Sequence, residues 1–501
     1  MAPATSGLYM ARILPLLVLF ALTAQAPSPQ FKSGVDVIRF DVVVLDKDRH
    51  PISGLTAEDF RVTENGNPVR VAGFQAVTIP GAAAPPEPSK ATFDPHVDVV
   101  TNQRRGPGRL VVIVMDRTIP HEWPMTHARE IADAAIDALG PNDLGAVLFT
   151  SQIAGTHGQG FTANRQRLHA AVASLQMGAT TNVDMSFQGL SRGGLHFNEG
   201  ECMCGLCALE TLTNVAASLA TVQDYRKMIF FIGTDVPLSE NSYLAHAVEC
   251  RGRMTEPSAK LFRTLDRANV TIHSFDPVGL DTAATTADNT PPESADSRQI
   301  RQGELGTLSS YTGGRLIALS NDEPALVPAL FDESRSYYVI AIERSPAAKG
   351  ERPHTIKIET ARSGATVLSR TIYMDALPDR VKKASADPLE RALAELLPET
   401  NLPLRMELAP STTRGSSVDV TLATPRSAPA RADVLIGVFD EFSKQVGVEH
   451  AQIELPARGG ADVTWTMHLN PKPGRYEVRA AVRVGDQIGT VIGHVEVARH
   501  R

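Results

Sequence analysis

No block of lysine and arginine long enough to lie along a phosphate backbone occurs in the 501 residues. The basic residues are scattered and the formal net charge is −7, which excludes nucleic acid as a partner. Nor is there an apolar run of the roughly 20 residues that a membrane-spanning helix needs. No tandem repeat is present. Cysteine is scarce, with four residues, three of them in one cluster. Apolar residues make up 43% and charged residues 21%, ordinary globular usage that rules out a disordered or fibrous chain. At roughly 100 to 200 residues per domain, the length leaves room for about three domains, each with its own core.

The chain opens on a secretory signal, expected over residues 1–26. Arg12 precedes the apolar stretch Ile13 to Leu22, which ends in the small-residue pattern Ala24-Gln25-Ala26. No cysteine follows to take a lipid, so cleavage is expected to release a protein with no transmembrane segment. Its location is then periplasm, cell surface or medium, and disulfides are allowed.

Residues 33–80 read as a small β unit: Val35 to Val44, Phe60 to Glu64, the turn Asn65-Gly66, then Val69 to Phe74. Residues 81–107 hold too much proline and too little periodic apolar content to pack, and read as a linker. From 108 to 333 the pattern is one of apolar strands separated by amphipathic helices, the signature of a parallel sheet covered on both faces. The strands are Leu110 to Met115, Gly145 to Phe149, Met228 to Ile232 and Val270 to Phe275. Residues 281–300 read as a surface loop. Strands return over 335–375, and their order suggests that they complete one sandwich with residues 33–80, the α/β domain being inserted between. A helical linker is expected over 376–400 and an immunoglobulin-like β-sandwich of seven short strands over 402–498. The fold class is thus α/β, a doubly wound and mostly parallel sheet flanked by β-sandwich domains.

In such a sheet, ligands bind beyond the carboxyl ends of the strands, where the strand order reverses. Polar residues just after strands are therefore the candidates. One strand ends in Met115-Asp116-Arg117-Thr118-Ile119-Pro120 and another in Ile232-Gly233-Thr234-Asp235. Between them lies the loop Ala179-Thr180-Thr181-Asn182.

Together these segments resemble a von Willebrand factor A domain. Others resemble the acidobacterial group of von Willebrand A-related proteins: Val42-Val43-Val44-Leu45-Asp46, Gly54-Leu55-Thr56-Ala57-Glu58-Asp59-Phe60, Tyr311-Thr312-Gly313-Gly314-Arg315 and Tyr337-Tyr338-Val339-Ile340. The resemblance spans roughly residues 35–375, with an echo in Pro473-Gly474-Arg475-Tyr476. It implies a metal-dependent adhesion site in which oxygens from Asp-x-Ser-x-Ser, a loop Thr and a later Asp hold Mg²⁺ or another divalent cation. Carried over by position, Asp116 is the first carboxylate, Thr118 stands for the first Ser, Thr181 is the loop threonine and Asp235 the last carboxylate. The second Ser is replaced by Pro120, which has no side-chain oxygen, and Arg117 adds positive charge beside Asp116. The site is therefore expected to be degenerate, and no cofactor is assigned.

Four cysteines, Cys202, Cys204, Cys207 and Cys250, allow three pairings. Cys202 and Cys204 are too close to bridge comfortably, so Cys250 is expected to join one of the cluster. Such a link would close a loop of about 45 residues and stabilise by roughly 4 kcal/mol. The alternative, a four-thiolate zinc site, lacks the paired C-x₂-C spacing of structural zinc modules.

No catalytic constellation is evident. Gly189-Leu190-Ser191-Arg192-Gly193 has the letters of a hydrolase nucleophile elbow but neither the strand before nor the helix after. The glycines at 155, 158 and 160 fit no phosphate loop. The reading is an exported, non-enzymatic binding or scaffold protein that offers its strand-end face, capped by the cysteine loop, to a protein or cell-envelope partner. An exported hydrolase using Ser191 and a purely structural envelope component are the alternatives.

Overall fold

The computed structural model describes residues 37–81, 94–103, 106–116, 119, 122–150, 158–175, 183–184, 196–197, 205–222, 225–239, 252–279, 295–343, 353–374, 387–411, 417–441 and 444–498. It is a mixed α/β structure: one mostly parallel sheet with helices, and several antiparallel four-stranded sheets.

The strand Arg109–Met115 is buried along its whole length, as is its neighbour Arg226–Ile232. Alternate side chains of a strand point to opposite faces, so such runs form only where both faces are covered. Leu110, Val112 and Val114 share a core with Leu209, Leu212, Leu265 and Leu305. Val111, Ile113 and Met115 share the other with Ile131, Ala135, Leu168 and Leu330. The helices Leu206–Leu219, Thr255–Ala268 and Ala295–Tyr311 thus cover one face, and Glu122–Asp137, Arg165–Ala173 and Glu323–Glu333 the other. Each large aliphatic side chain so buried contributes about 1.5–3 kcal/mol.

Across the six-stranded sheet the order is Gln159–Thr162, Leu144–Phe149, Arg109–Met115, Arg226–Ile232, Thr271–Phe275 and Leu316–Ile317. In chain order this is third, second, first, fourth, fifth, sixth, the doubly wound arrangement whose reversal lies between the first and fourth strands. All pairings are parallel except that of the edge strand Gln159–Thr162. Two of the six strands differ from the sequence expectation. Both Gln159–Thr162 and Leu316–Ile317 are too short to show a periodicity. The helix Ala295–Tyr311 also begins inside the stretch 281–300 expected to be a loop. Its apolar stripe is thin, with only Leu305 and Leu308 fully buried.

The chain enters and leaves this domain at the amino ends of the strands. Val37–Leu45 pairs antiparallel with Ser336–Glu343, Val37 opposite Glu343, and Ser336–Glu343 pairs in turn with Val71–Thr78. Phe60–Glu64 pairs with Pro353–Thr360. The two resulting four-stranded sheets enclose Phe40, Val42, Tyr338, Ile340, Ile356 and Ile358. Buried and part-buried polar contacts tie this sandwich to the base of the α/β sheet. Arg226, the first residue of its strand, reaches Asp41 at 2.8 Å, and Asn269 donates to the other oxygen of Asp41 at 2.7 Å. Glu333 accepts from both Arg49 and Arg315 at 2.7 Å. Arg370 donates to the carbonyls of Arg39 and Asp266.

The last domain is a sandwich of two four-stranded sheets. One orders Asp462–Leu469, Val418–Pro425, Arg405–Pro410 and Asp98–Thr101; the other Gln445–Leu455, Ala430–Asp440, Gly474–Val484 and Gln487–Val497. The Tyr476 hydroxyl donates to the carbonyl of Lys472 at 2.7 Å, the corner contact found at the start of such a strand in immunoglobulin-like sandwiches. Two stretches read as linkers are partly recruited here. Within 81–107, Asp98–Thr101 adds an edge strand against Arg405–Pro410, its β-branched residues suiting a half-buried edge. Within 376–400, the helix Pro388–Ala394 buries Leu389 and Leu393 against Leu435 and Ala481. The sandwich meets the edge of the α/β sheet through Gln159 and His494, 3.1 Å apart, and through Arg167, which donates to the carbonyl of Val97 at 3.0 Å.

At that junction Glu477 is buried. Burial opposes its charge, but Arg479 at 2.6 Å and His494 at 3.5 Å outweigh the burial and push the carboxyl down to about 2. A carboxylate lowered in the folded state stabilises the fold above its unfolded pKa, and that stability is lost as pH falls through the folded value. Glu477→Gln leaves Arg479 buried without its counter-ion and should cost about 3–5 kcal/mol in urea titrations at neutral pH. The variant should also lose less stability than the parent between about pH 4 and pH 2. Equal urea midpoints for the two proteins would contradict this.

Candidate functional site

Asp116 follows the first strand and sits beside the fourth. Its backbone N–H donates to the carbonyl of Ile232 at 2.8 Å, carrying the ladder one residue past Met115. Gly233 makes room for it, since a Cβ at that position would lie 2.7 Å from the Asp116 Cβ. On the other side, Thr150 donates its backbone N–H to the carbonyl of Met115 at 3.1 Å and its hydroxyl to Asp116 Oδ1 at 2.7 Å. The Asp116 side chain is thereby fixed and buried.

Asp235 ends the turn after the fourth strand and is also buried; its Oδ1 accepts from the backbone N–H of Val236 at 2.7 Å. Burial pushes its carboxyl up to about 7; the Arg301 charge opposes this, while the Glu304 and Asp116 charges add to it. Asp276 follows the fifth strand and is fully buried. Arg301 pairs with its Oδ1 at 2.9 Å, and Gln302 donates to its Oδ2 at 2.9 Å. The same Arg301 donates to the carbonyl of Thr234 at 2.6 Å. Three neighbouring strands therefore each deliver a buried aspartate to the carboxyl edge, with one guanidinium among them.

Of the residues expected from sequence, the fold brings Asp116 and Asp235 together at the strand-order reversal. Thr118, Thr181, Pro120, Ser191, Cys202, Cys204 and Cys250 lie outside the described residues. Cys207 opens the helix Leu206–Leu219, is buried and is disulfide-bonded, its partner lying outside the described residues. Thr150, Asp276 and Arg301 were not anticipated. Thr150 and Asp276 directly follow strands, the signal that singled out Asp116. Arg301 offered none, because its helix begins within a stretch that reads as loop.

An octahedral divalent cation needs oxygens on all sides. The described part of the expected set supplies two carboxylates, each with one oxygen already engaged, and Arg301 places a fixed positive charge near Asp235. Pro120 removes a further oxygen. The described donors alone do not satisfy such a cation, and among the described residues no group of three histidine, cysteine, aspartate or glutamate side chains could hold a metal.

A second titratable pair lies between helices Glu122–Asp137 and Glu323–Glu333. His127 Nε2 is 2.5 Å from Glu323 Oε2 and Nδ1 is 3.2 Å from Glu130 Oε2, with the Trp123 ring stacked on the imidazole. The bond to Glu323 raises its pKa against burial, with Glu130 adding to the rise. Both ring nitrogens are committed to carboxylates, so the imidazole is poorly placed to act as a base.

Asp235 allows a pH test. Because its pKa is raised on folding, the stability it contributes is full below about pH 4 and is lost as pH rises through about 7. Asp235→Asn should therefore gain stability relative to the parent between about pH 5 and pH 8 in chemical denaturation. A difference that does not vary with pH would contradict the assignment.

No family model matches the chain, and no curated protein matches it. Among solved structures it is similar to the pilus adhesin SpaC from Lactobacillus rhamnosus GG, at 10% identity and a TM-score of 0.29, over 86% of this chain and 58% of that one. It is similar to a beta-glucosidase from Listeria innocua at 11% identity and a TM-score of 0.15, over 81% of this chain and 49% of that one. With dimeric latent PorU from Porphyromonas gingivalis the identity is 11% and the TM-score 0.15, over 32% of this chain and 14% of that one. The chain spans less than two thirds of each of these proteins, and superposition at such scores does not define a shared fold.

Proposed function

We propose that this chain is an exported binding or scaffold protein whose α/β domain engages a protein or cell-envelope partner through the carboxyl ends of its strands, without a divalent cation and without a catalytic step. The domain is read as von Willebrand A-like, of the acidobacterial von Willebrand A-related group, with a degenerate adhesion site. The observation that carries this reading is the placement of Asp116 and Asp235 at the strand-order reversal, where open α/β sheets bind their ligands. It is supported by the base of the same sheet, which is occupied by the sandwich through Asp41, Arg226 and Glu333. The metal-independent part rests on Pro120 and on Arg301. The two sandwiches then act as spacers for that face.

The test has two arms. Calorimetric titration of the full chain and of Asp116→Ala with Mg²⁺, Mn²⁺ and Ca²⁺ should give no saturable heat with either protein. Retention of the full chain on isolated cell envelopes should be the same with and without EDTA. Saturable Mg²⁺ binding abolished in Asp116→Ala would restore a working adhesion site, and absence of envelope retention would end the binding reading.

A further inference from the structure

The helix Ala295–Tyr311 carries two kinds of chemistry. On one side Leu305 and Leu308 enter the core, and Arg301 ties the helix to Thr234 and Asp276 at the strand ends. On the other, Asp296, Gln299, Ile300, Gly303, Glu304 and Thr307 recur at intervals of three and four residues, so they share one face. All six line a cleft of about 780 Å³ whose apolar wall is Leu238 together with Phe262 of the helix Thr255–Ala268. That volume is within the range of ligand-binding clefts.

Three features of the cleft point to its occupant. Ile300 is 39% exposed although it stands opposite apolar side chains, so an apolar surface is left waiting for cover. Gly303 opens the floor, since a Cβ there would meet nothing within 4 Å. Among the described residues the lining holds two carboxylates, Asp296 and Glu304, and no lysine, arginine or histidine. Glu304 is half-buried and accepts from the Ser239 hydroxyl at 2.7 Å and from the Leu238 backbone, but makes no ion pair among the described residues. A partly desolvated carboxylate without a counter-ion favours a cationic ligand.

We propose that this cleft receives a peptide segment of the partner in which a lysine or arginine stands beside an apolar side chain. The apolar group covers Ile300, Leu238 and Phe262, and the cation lies against Glu304 and Asp296. This rests on the binding reading above and gives the partner its chemistry. Because Arg301 belongs to the same helix, the cleft adjoins the strand-end aspartates.

The test uses the full chain and a fluorescein-labelled peptide of alternating leucine and lysine, followed by anisotropy, with a peptide bearing glutamate in place of lysine as control. The lysine peptide should bind saturably and the glutamate peptide should not. Gly303→Leu, which fills the floor, should weaken binding by about tenfold or more, and Glu304→Gln and Asp296→Lys by about threefold to tenfold with a smaller salt dependence. Leucine is a better helix former than glycine, so Gly303→Leu should fold; if circular dichroism shows otherwise, the exposed Asp296→Lys decides. Equal binding of both peptides, or lysine-peptide binding unchanged in the folded variants, would overturn the proposal. Envelope retention separates the two readings. If the parent and Gly303→Leu are both retained, the cleft alone fails; if the parent is not retained, the binding reading fails first.

Discussion

Everything else in this molecule follows from the burial of Arg109–Met115 and Arg226–Ile232 on both faces. A strand with apolar neighbours above and below has no place for a charge along its length, because an unpaired buried charge costs several kcal/mol. Polar residues are forced to the two ends. At the amino end they are consumed in ion pairs: Arg109 on Asp143 within the α/β domain, and Arg226 on Asp41 of the sandwich. At the carboxyl end the same constraint gathers Asp116, Asp235 and Asp276 on adjacent strands, with no sandwich packed over them among the described residues.

The carboxyl edge is a compromise between crowding and compensation. Asp276 has Arg301 and Gln302 as donors, Asp116 has Thr150, and Asp235 has a backbone N–H and a carboxyl pushed toward its neutral form by burial and by neighbouring carboxylates. Arg301 pairs with Asp276 and opposes the rise of the Asp235 carboxyl. One helix therefore sets both the electrostatics of the strand ends and, on its other side, the anionic cleft.

What could be read from the sequence follows the same physics. Leu110 to Met115 and Met228 to Ile232 are legible as strands because burial on both faces leaves an unbroken apolar run. Gln159–Thr162 and Leu316–Ile317 are the two edge strands, too short to declare a period. Asp98–Thr101 is a strand only because Arg405–Pro410 lies beside it, a contact across some 300 positions that no local pattern encodes. The same holds for the register of Val37 against Glu343. At the site, Asp116 and Asp235 stood out because each follows an apolar run, and Thr150 and Asp276 carried the same mark. Arg301 did not, since its role depends on where a thinly apolar helix docks. Thr118, Thr181 and three of the four cysteines lie outside the described residues.

The central claim is that the carboxyl-end side of the α/β domain, and neither sandwich, is the binding face. Hydroxyl-radical footprinting of the full chain free and bound to isolated envelopes tests it directly. The account predicts protection of Leu238, Phe262 and Ile300 on binding, with Val446 and Val448, exposed on the outer strand of the last sandwich, unchanged. Protection confined to Val446 and Val448 would contradict it.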